Sequence, residues 1–336
     1  MKKLPIILSL FAIILLSACN GEKEVKKERS VGGTSEILVV SQTLEQWEGA
    51  EGNAIRGYFT QEQYGLPQSE PMYKVTHVNA NKFSDMFKKH KCILVIETDP
   101  GLAVSKIEKG ADMWAAPQCY IKITAADDAS WVETFEKNKE AIKSLFDKAE
   151  LDRIMSILRP GTNTEIYKSL DKQFGIKMSV PEGFFVAKQE KDFVWLRKEL
   201  DKSGAGIMVY SEDYTDTTQF ELNSIITKRN IITQKYIAGP TEGSYMTTES
   251  EFVPPVISDA KTFDAGYAAE VRGMWCLVGD YMAGPFVSYT FVNEDTHKLI
   301  TAEGYVYAPN QDKRNLLLQL QAIICDTKIQ ASEQQQ

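Results

Sequence analysis

YAAEVRGMWCLVGDYMAGPFVSYTFVNEDTHKLITAEGYVYA, residues 267–308, decides how the second half of this chain folds. Its runs 267–278, 286–292 and 299–308 are rich in β-branched and aromatic residues and are broken by Gly-, Pro-, Asn- and Asp-bearing turns, which predicts three strands of an antiparallel sheet. A helix is expected over 312–325, where Leu317, Leu320 and Ile324 form an apolar stripe to lay on that sheet. Towards the N-terminus, 176–180, 184–188, 193–198 and 206–210 read as further strands, and 218–232 as a helix. Pro254-Pro255 disfavours a central strand nearby. The layout is α+β, an antiparallel sheet packed by helices.

This half begins at about residue 161. Pro160-Gly161 ends a long helix predicted from about 130 to 158, with apolar residues at Trp131, Phe135, Ile142, Leu145, Phe146, Ala149 and Ile154. Thr162-Asn163-Thr164-Glu165 then has capping-box spacing and opens a fresh helix through Phe174, with Gly175 as its far cap. The region before the boundary alternates strand and helix, as an α/β domain does. Its strands are expected at 37–40, 73–78, 92–96 and 119–124, and its helices at 44–59, burying Leu44, Trp47, Ile55 and Phe59, and at 83–88. The expected domains are therefore 35–160 (α/β) and 161–330 (α+β), followed by a disordered tail at 331–336.

Gly273-Met274-Trp275 and Gly279 to Phe286, with Leu66-Pro67-Gln68-Ser69-Glu70-Pro71 and Trp114 to Gln118, carry a resemblance. Over essentially the whole mature chain, the sequence resembles the Bacteroidetes lipoprotein family called domain of unknown function 4837. That resemblance implies an exported lipoprotein and carries no catalytic residues with it. The stretch Phe174 to Phe184, with the strand and helix pattern after it, is similar to the opening of PsbP-like and Mog1-like domains, which implies a binding or assembly module.

The first residues give an address. Lys2 and Lys3, the apolar run Leu4 to Leu16, and then Leu16-Ser17-Ala18-Cys19 have the form of a signal peptide (1–18) ending at an acylated cysteine, Cys19. The uncharged run is shorter than the ~20 residues a spanning helix needs. Residues 19–34 read as a lipidated flexible tether, because they lack apolar periodicity; fifteen extended residues could reach ~50 Å. Asn20 follows the cysteine where retention signals often carry Asp, so the outer membrane is expected, facing the periplasm. The net charge of −8, or −10 once Lys2 and Lys3 are removed, leaves no electrostatic footprint for nucleic acid.

No phosphate loop, zinc-protease helix motif or nucleophile elbow occurs in the sequence. His77, His90 and His297 are scattered without metal-ligand spacing, so neither a metal nor a cofactor is expected. The best polar constellation is Glu270 and Arg272, two apart on one strand, which Glu303 and Asp280 could join if the strands form a meander. Cross-strand charge pairing on a solvated face would use the same residues. Four cysteines remain after Cys19, and domain partition pairs Cys92 with Cys119 and Cys276 with Cys325, the alternative being four buried thiols. Trp275 and Phe286 are expected in the core, whereas Tyr281 and Met282 sit in a glycine-bounded turn that suits a contact surface or folds back on the sheet.

These features point to a non-catalytic binding or assembly factor of the cell envelope, with the membrane and an envelope protein as partners. The competing readings are an envelope hydrolase using Glu270, Asp280 and Glu303 with Arg272 holding substrate charge, and a small-ligand binder in the inter-domain cleft.

Overall fold

A computed structural model describes residues 27–329. Cys19, the leader 1–18 and the tail 331–336 lie outside the described residues.

The first domain comprises β1 (Glu28–Arg29), β2 (Glu36–Ser41), α1 (Leu44–Glu48), α2 (Ala50–Phe59), β3 (Lys74–Asn79), α3 (Asp85–Lys88), β4 (Cys92–Thr98), β5 (Lys106–Ala111), β6 (Ala115–Ala116), β7 (Cys119–Ala125) and α4 (Asp128–Leu158). Its sheet has the order β3-β2-β4-β7-β5, parallel except for β5. The continuous apolar run at 37–40 follows from this placement. Ile37 and Val39 face a core of Ile55, Phe59, Phe135 and Phe146, while Leu38 and Val40 face Phe83, Phe87 and Trp114, so both faces of the strand are covered.

Three expectations change here. The helix expected over 44–59 is two helices, because extended backbone at Gly49 closes α1 and opens α2; Leu44, at the start of α1, is exposed instead of buried. The edge strand β5 has mostly exposed, charged residues and no apolar alternation to announce it. The tether 19–34 is not free over its second half. β1 pairs with β6, Ser30 N–H donates to Ala116 O at 3.2 Å, and Val31 bridges to His90, since these amides find partners on the domain instead of in water.

The second domain follows as α5 (Thr164–Phe174), β8 (Ile176–Lys177), β9 (Phe185–Glu190), β10 (Phe193–Leu200), β11 (Ser203–Asp213), α6 (Leu222–Tyr236), β12 (Tyr245–Glu249), β13 (Val256–Asp259), β14 (Ala268–Val278), β15 (Ala283–Asn293), β16 (Lys298–Tyr307), α7 (Arg314–Cys325) and β17 (Lys328–Ile329). Its antiparallel sheet has the order β12-β14-β15-β16-β11-β10-β9. β13 pairs with the same strand as β12, further along it, so Pro254-Pro255 falls in an excursion between two short edge strands. The cap of α5 is Asn163, not Thr162: Asn163 Oδ1 accepts from the Glu165 and Ile166 amides at 3.1 Å, while the Thr162 hydroxyl is turned back to Arg159 O. Gly175 closes the helix at φ +67°.

α7 packs Leu317, Leu320 and Ile324 on one face of the sheet against Val287, Tyr289 and Ala302. α6 packs on the other, where Met208, Trp275, Phe286 and Tyr305 are buried. The 31-residue α4 serves both domains: Trp131, Phe135, Ile142 and Phe146 sit in the first core, and Leu151, Ile154 and Met155 in the second.

Candidate functional site: an aromatic groove

α6 covers only part of its face of the sheet. Beyond its last turn the face opens into a groove of about 570 Å3, bounded by the β10–β11 hairpin, the Ile237–Pro240 connection and the β14–β15 turn. Trp195, Trp275, Tyr305, Tyr307, Met246 and Leu277 line it, with Arg197, Glu199, Asp201 and Lys202 at its margin. The strand period places the aromatics together: Gly206 on β11, Tyr305 on β16 and Phe286 on β15 are successive cross-strand partners on one face. Tyr305 lies flat across β11 only because position 206 is glycine, since a Cβ there would meet the ring at 2.2 to 2.5 Å. Trp195 Nε1–H donates to Tyr305 Oη at 2.8 Å and fixes the pair. Met282 contributes to the lining and is half-buried, whereas Tyr281 beside it is fully exposed.

The four polar candidates do not assemble. Glu270 is the cross-strand partner of Tyr289, and Glu303 of Ser288, so register puts the two carboxylates on opposite faces of the sheet. On one face, Arg272 Nε–H donates to Glu270 at 2.5 Å and the Tyr289 hydroxyl donates to it at 2.6 Å. Gln321 accepts from Arg272 at 2.8 Å and donates to Tyr289 Oη at 2.7 Å, which completes the ring of hydrogen bonds. Burial would raise the Glu270 pKa, but the Arg272 charge and these hydrogen bonds outweigh it and hold the carboxyl below its ordinary value.

On the other face, Arg229 donates to both oxygens of Glu303 at 2.8 Å and to Thr248 Oγ1 at 2.9 Å; both charged side chains are wholly buried. Burial dominates there and pushes Glu303 up, with the Arg229 charge opposing it. Asp280 is exposed in its turn, where it accepts from the Thr241 hydroxyl at 2.6 Å and from the Tyr281 amide at 2.6 Å, and the Thr241 bond leads in lowering its pKa. Each carboxylate is thus committed to a structural partner, and no two of the three share a site where one could act as acid and the other as base.

A polar cavity of about 200 Å3 does lie between the domains, bringing Glu140, Lys143 and Asp147 of α4 to Glu270, Arg272 and Gln321. Lys143 and Asp147 pair at 2.7 Å, so much of the charge in the cleft is internally matched. The four cysteines among the described residues are free thiols. Cys92 and Cys119 are register partners on adjacent strands, and burial pushes both thiols up, Cys119 to about 12. Cys325 ends α7 beside Thr262, while Cys276 lies opposite Ala283 at the far end of β14, so neither expected disulfide forms. His77 stacks on Trp47 and hydrogen-bonds Ser41 Oγ at 2.8 Å; His90 donates from Nδ1 to Cys92 O at 3.0 Å. No group of three or more His, Cys, Asp or Glu side chains able to hold a metal occurs among the described residues, and no helix among them is long and apolar enough to cross a membrane.

The fold is that of an α/β domain followed by an α+β domain whose curled antiparallel sheet carries helices on both faces. Residues 163–326, the second domain, match the family described as Domain of unknown function (DUF4837). The first domain matches a separate family, Domain of unknown function (DUF8532), over residues 30–159, and this match takes in Leu66 to Pro71 and Trp114 to Gln118. No curated protein matches the chain. Among solved structures it is similar to the Saccharomyces cerevisiae Ran-binding protein Mog1p, at 9% identity and a TM-score of 0.30, covering 46% of this chain and 90% of that one. A mutant of protein Mog1 aligns at 9% identity and a TM-score of 0.27, covering 45% and 84%.

Sequence reasoning missed the groove because its lining comes from five separated segments. The signal available was the period-two spacing of Tyr305 and Tyr307 on one strand and of Trp195 and Arg197 on another.

Proposed function

We propose that this chain is a non-catalytic binding protein of the cell envelope, held at a membrane by lipid on Cys19, which seats a small and largely apolar ligand in the aromatic groove. The observation that carries the reading is the groove itself: about 570 Å3 lies within the ~300–1,000 Å3 of ordinary ligand sites, with an aromatic floor and a charged margin. The commitment of Glu270, Glu303 and Asp280 to structural partners favours binding over hydrolysis. Leu16-Ser17-Ala18-Cys19 and the resemblance to Bacteroidetes lipoproteins support the lipid anchor, with the periplasmic face of the outer membrane as its place.

Titration with the fluorescent probe anilinonaphthalene sulfonate tests the groove. Saturable binding of one probe per chain is expected, weakened about tenfold or more, a loss of ~1.4 kcal/mol, by Tyr307→Ala together with Met282→Ser. Equal binding by the variant would refute the assignment.

A further inference from the structure

We infer that the amino end of the first sheet, where the chain enters the fold, is the face that lies against the bilayer. This rests on the lipid anchor proposed above. Because β1 is already paired with β6, eight residues separate Cys19 from Glu28, a reach of at most about 30 Å. A domain of this length is about 35 Å across, so the chain is too short to let the domain turn its far side to the lipid.

The entry point has a surface suited to that position. The Lys27 ammonium donates to Asp112 O, and the Lys89 ammonium pairs with Glu28, so α3 and the loop before β6 both border it. Phe83 packs edge-on to Trp114 and ties the same two elements together. From them and from the residues after β1, large apolar side chains stand in solvent: Met86 is 67% exposed, Met113 45% and Val31 48%. Lys27, Arg29, Lys88 and Lys89 stand around them against Glu28, Asp85 and Asp112, a local excess of cations in a chain of net charge −8. Flexible methionines can enter the boundary between headgroups and acyl chains, while lysine and arginine stems reach to the phosphates. The occupant is therefore the phospholipid surface to which the chain is tethered.

Hydroxyl-radical footprinting by mass spectrometry tests this, using the acylated chain on vesicles of phosphatidylethanolamine and phosphatidylglycerol and the unlipidated chain from residue 20 free in solution. Oxidation of Met86 and Met113 should fall several-fold on vesicles, with Tyr281 of the second domain unchanged. Equal oxidation in the two states, with lipid present on the N-terminal peptide, would overturn the membrane face and leave the anchor standing. Absence of lipid from that peptide would remove the anchor and this inference with it. Protection that grows with concentration in the free chain would instead assign the face to a second copy.

Discussion

The Glu70 carboxylate accepts the amide of Lys313 at 2.7 Å, and its other oxygen accepts the amide of Arg314 at 3.0 Å, so a loop of the first domain caps α7 of the second. The helix has no cap of its own, and the first-turn amides it leaves open are met by a buried anion where the helix dipole favours one. Around this contact, Gln68 accepts from the Lys313 ammonium at 3.0 Å, the Tyr64 hydroxyl donates to Pro254 O at 2.5 Å, and Gly65, at φ +83°, lies against the Gly273 backbone. The loop from Tyr64 to Glu70 therefore acts as a clasp between the domains.

Glu70→Ala should lower unfolding stability by about 1–2 kcal/mol, the range for a lost N-cap. Urea denaturation checks it, and an unchanged midpoint would mean that the clasp contributes nothing.

Replacing Arg229 with Met should cost about 3–5 kcal/mol, because it strands the wholly buried Glu303. Adding Glu303→Leu should recover most of that loss, since the pair then becomes apolar. A double variant no more stable than the single one would contradict this account.

The Glu270 carboxyl is held below its ordinary value, so its contribution is present above the unfolded pKa near ~4.3 and fades as pH falls through the lower folded value. Glu270→Gln should thus be about 2 kcal/mol less stable than the parent at pH 7, and the gap should narrow below about pH 4. Denaturation curves at both pH values decide it; a gap that widens in acid has the wrong sign for this arrangement.

Gly206→Ala drives a methyl into the Tyr305 ring, and the overpacking should cost about 1–3 kcal/mol. It should also break the Trp195 to Tyr305 hydrogen bond and weaken probe binding in the groove. A crystal structure of the variant with Tyr305 unmoved would rule this out.

Cys19→Ala should abolish incorporation of a fatty-acid label and leave either unprocessed precursor or protein that no longer extracts with membranes. Equal labelling of parent and variant would end the lipoprotein reading.

Strands at 37–40, 92–96, 119–124 and 299–308 were legible because burial on both faces or strict alternation leaves an unmistakable pattern, and the helix over 128–158 because its stripe, from Trp131 to Met155, runs for about seven turns. Edge strands β5, β12 and β13 were not, since a strand paired on one side needs no apolar run. The charge cluster failed for a different reason. Glu270 and Glu303 lie on strands that flank β15, but which face each takes depends on hairpin register, and a shift of one residue reverses it. Arg229, the partner that decides what Glu303 does, lies 74 residues away on a helix and left no local trace.

The span of α4 across both cores bears on what can be produced as a stable fragment. Leu151, Ile154 and Met155 are buried in the core of the second domain although they precede residue 160. A fragment starting at residue 163 would forgo three such side chains, each worth about 1.5–3 kcal/mol on burial, or about 5–9 kcal/mol together. That approaches the ~5–15 kcal/mol by which whole domains are stable, so the two family units, separable in sequence, should melt as one cooperative body.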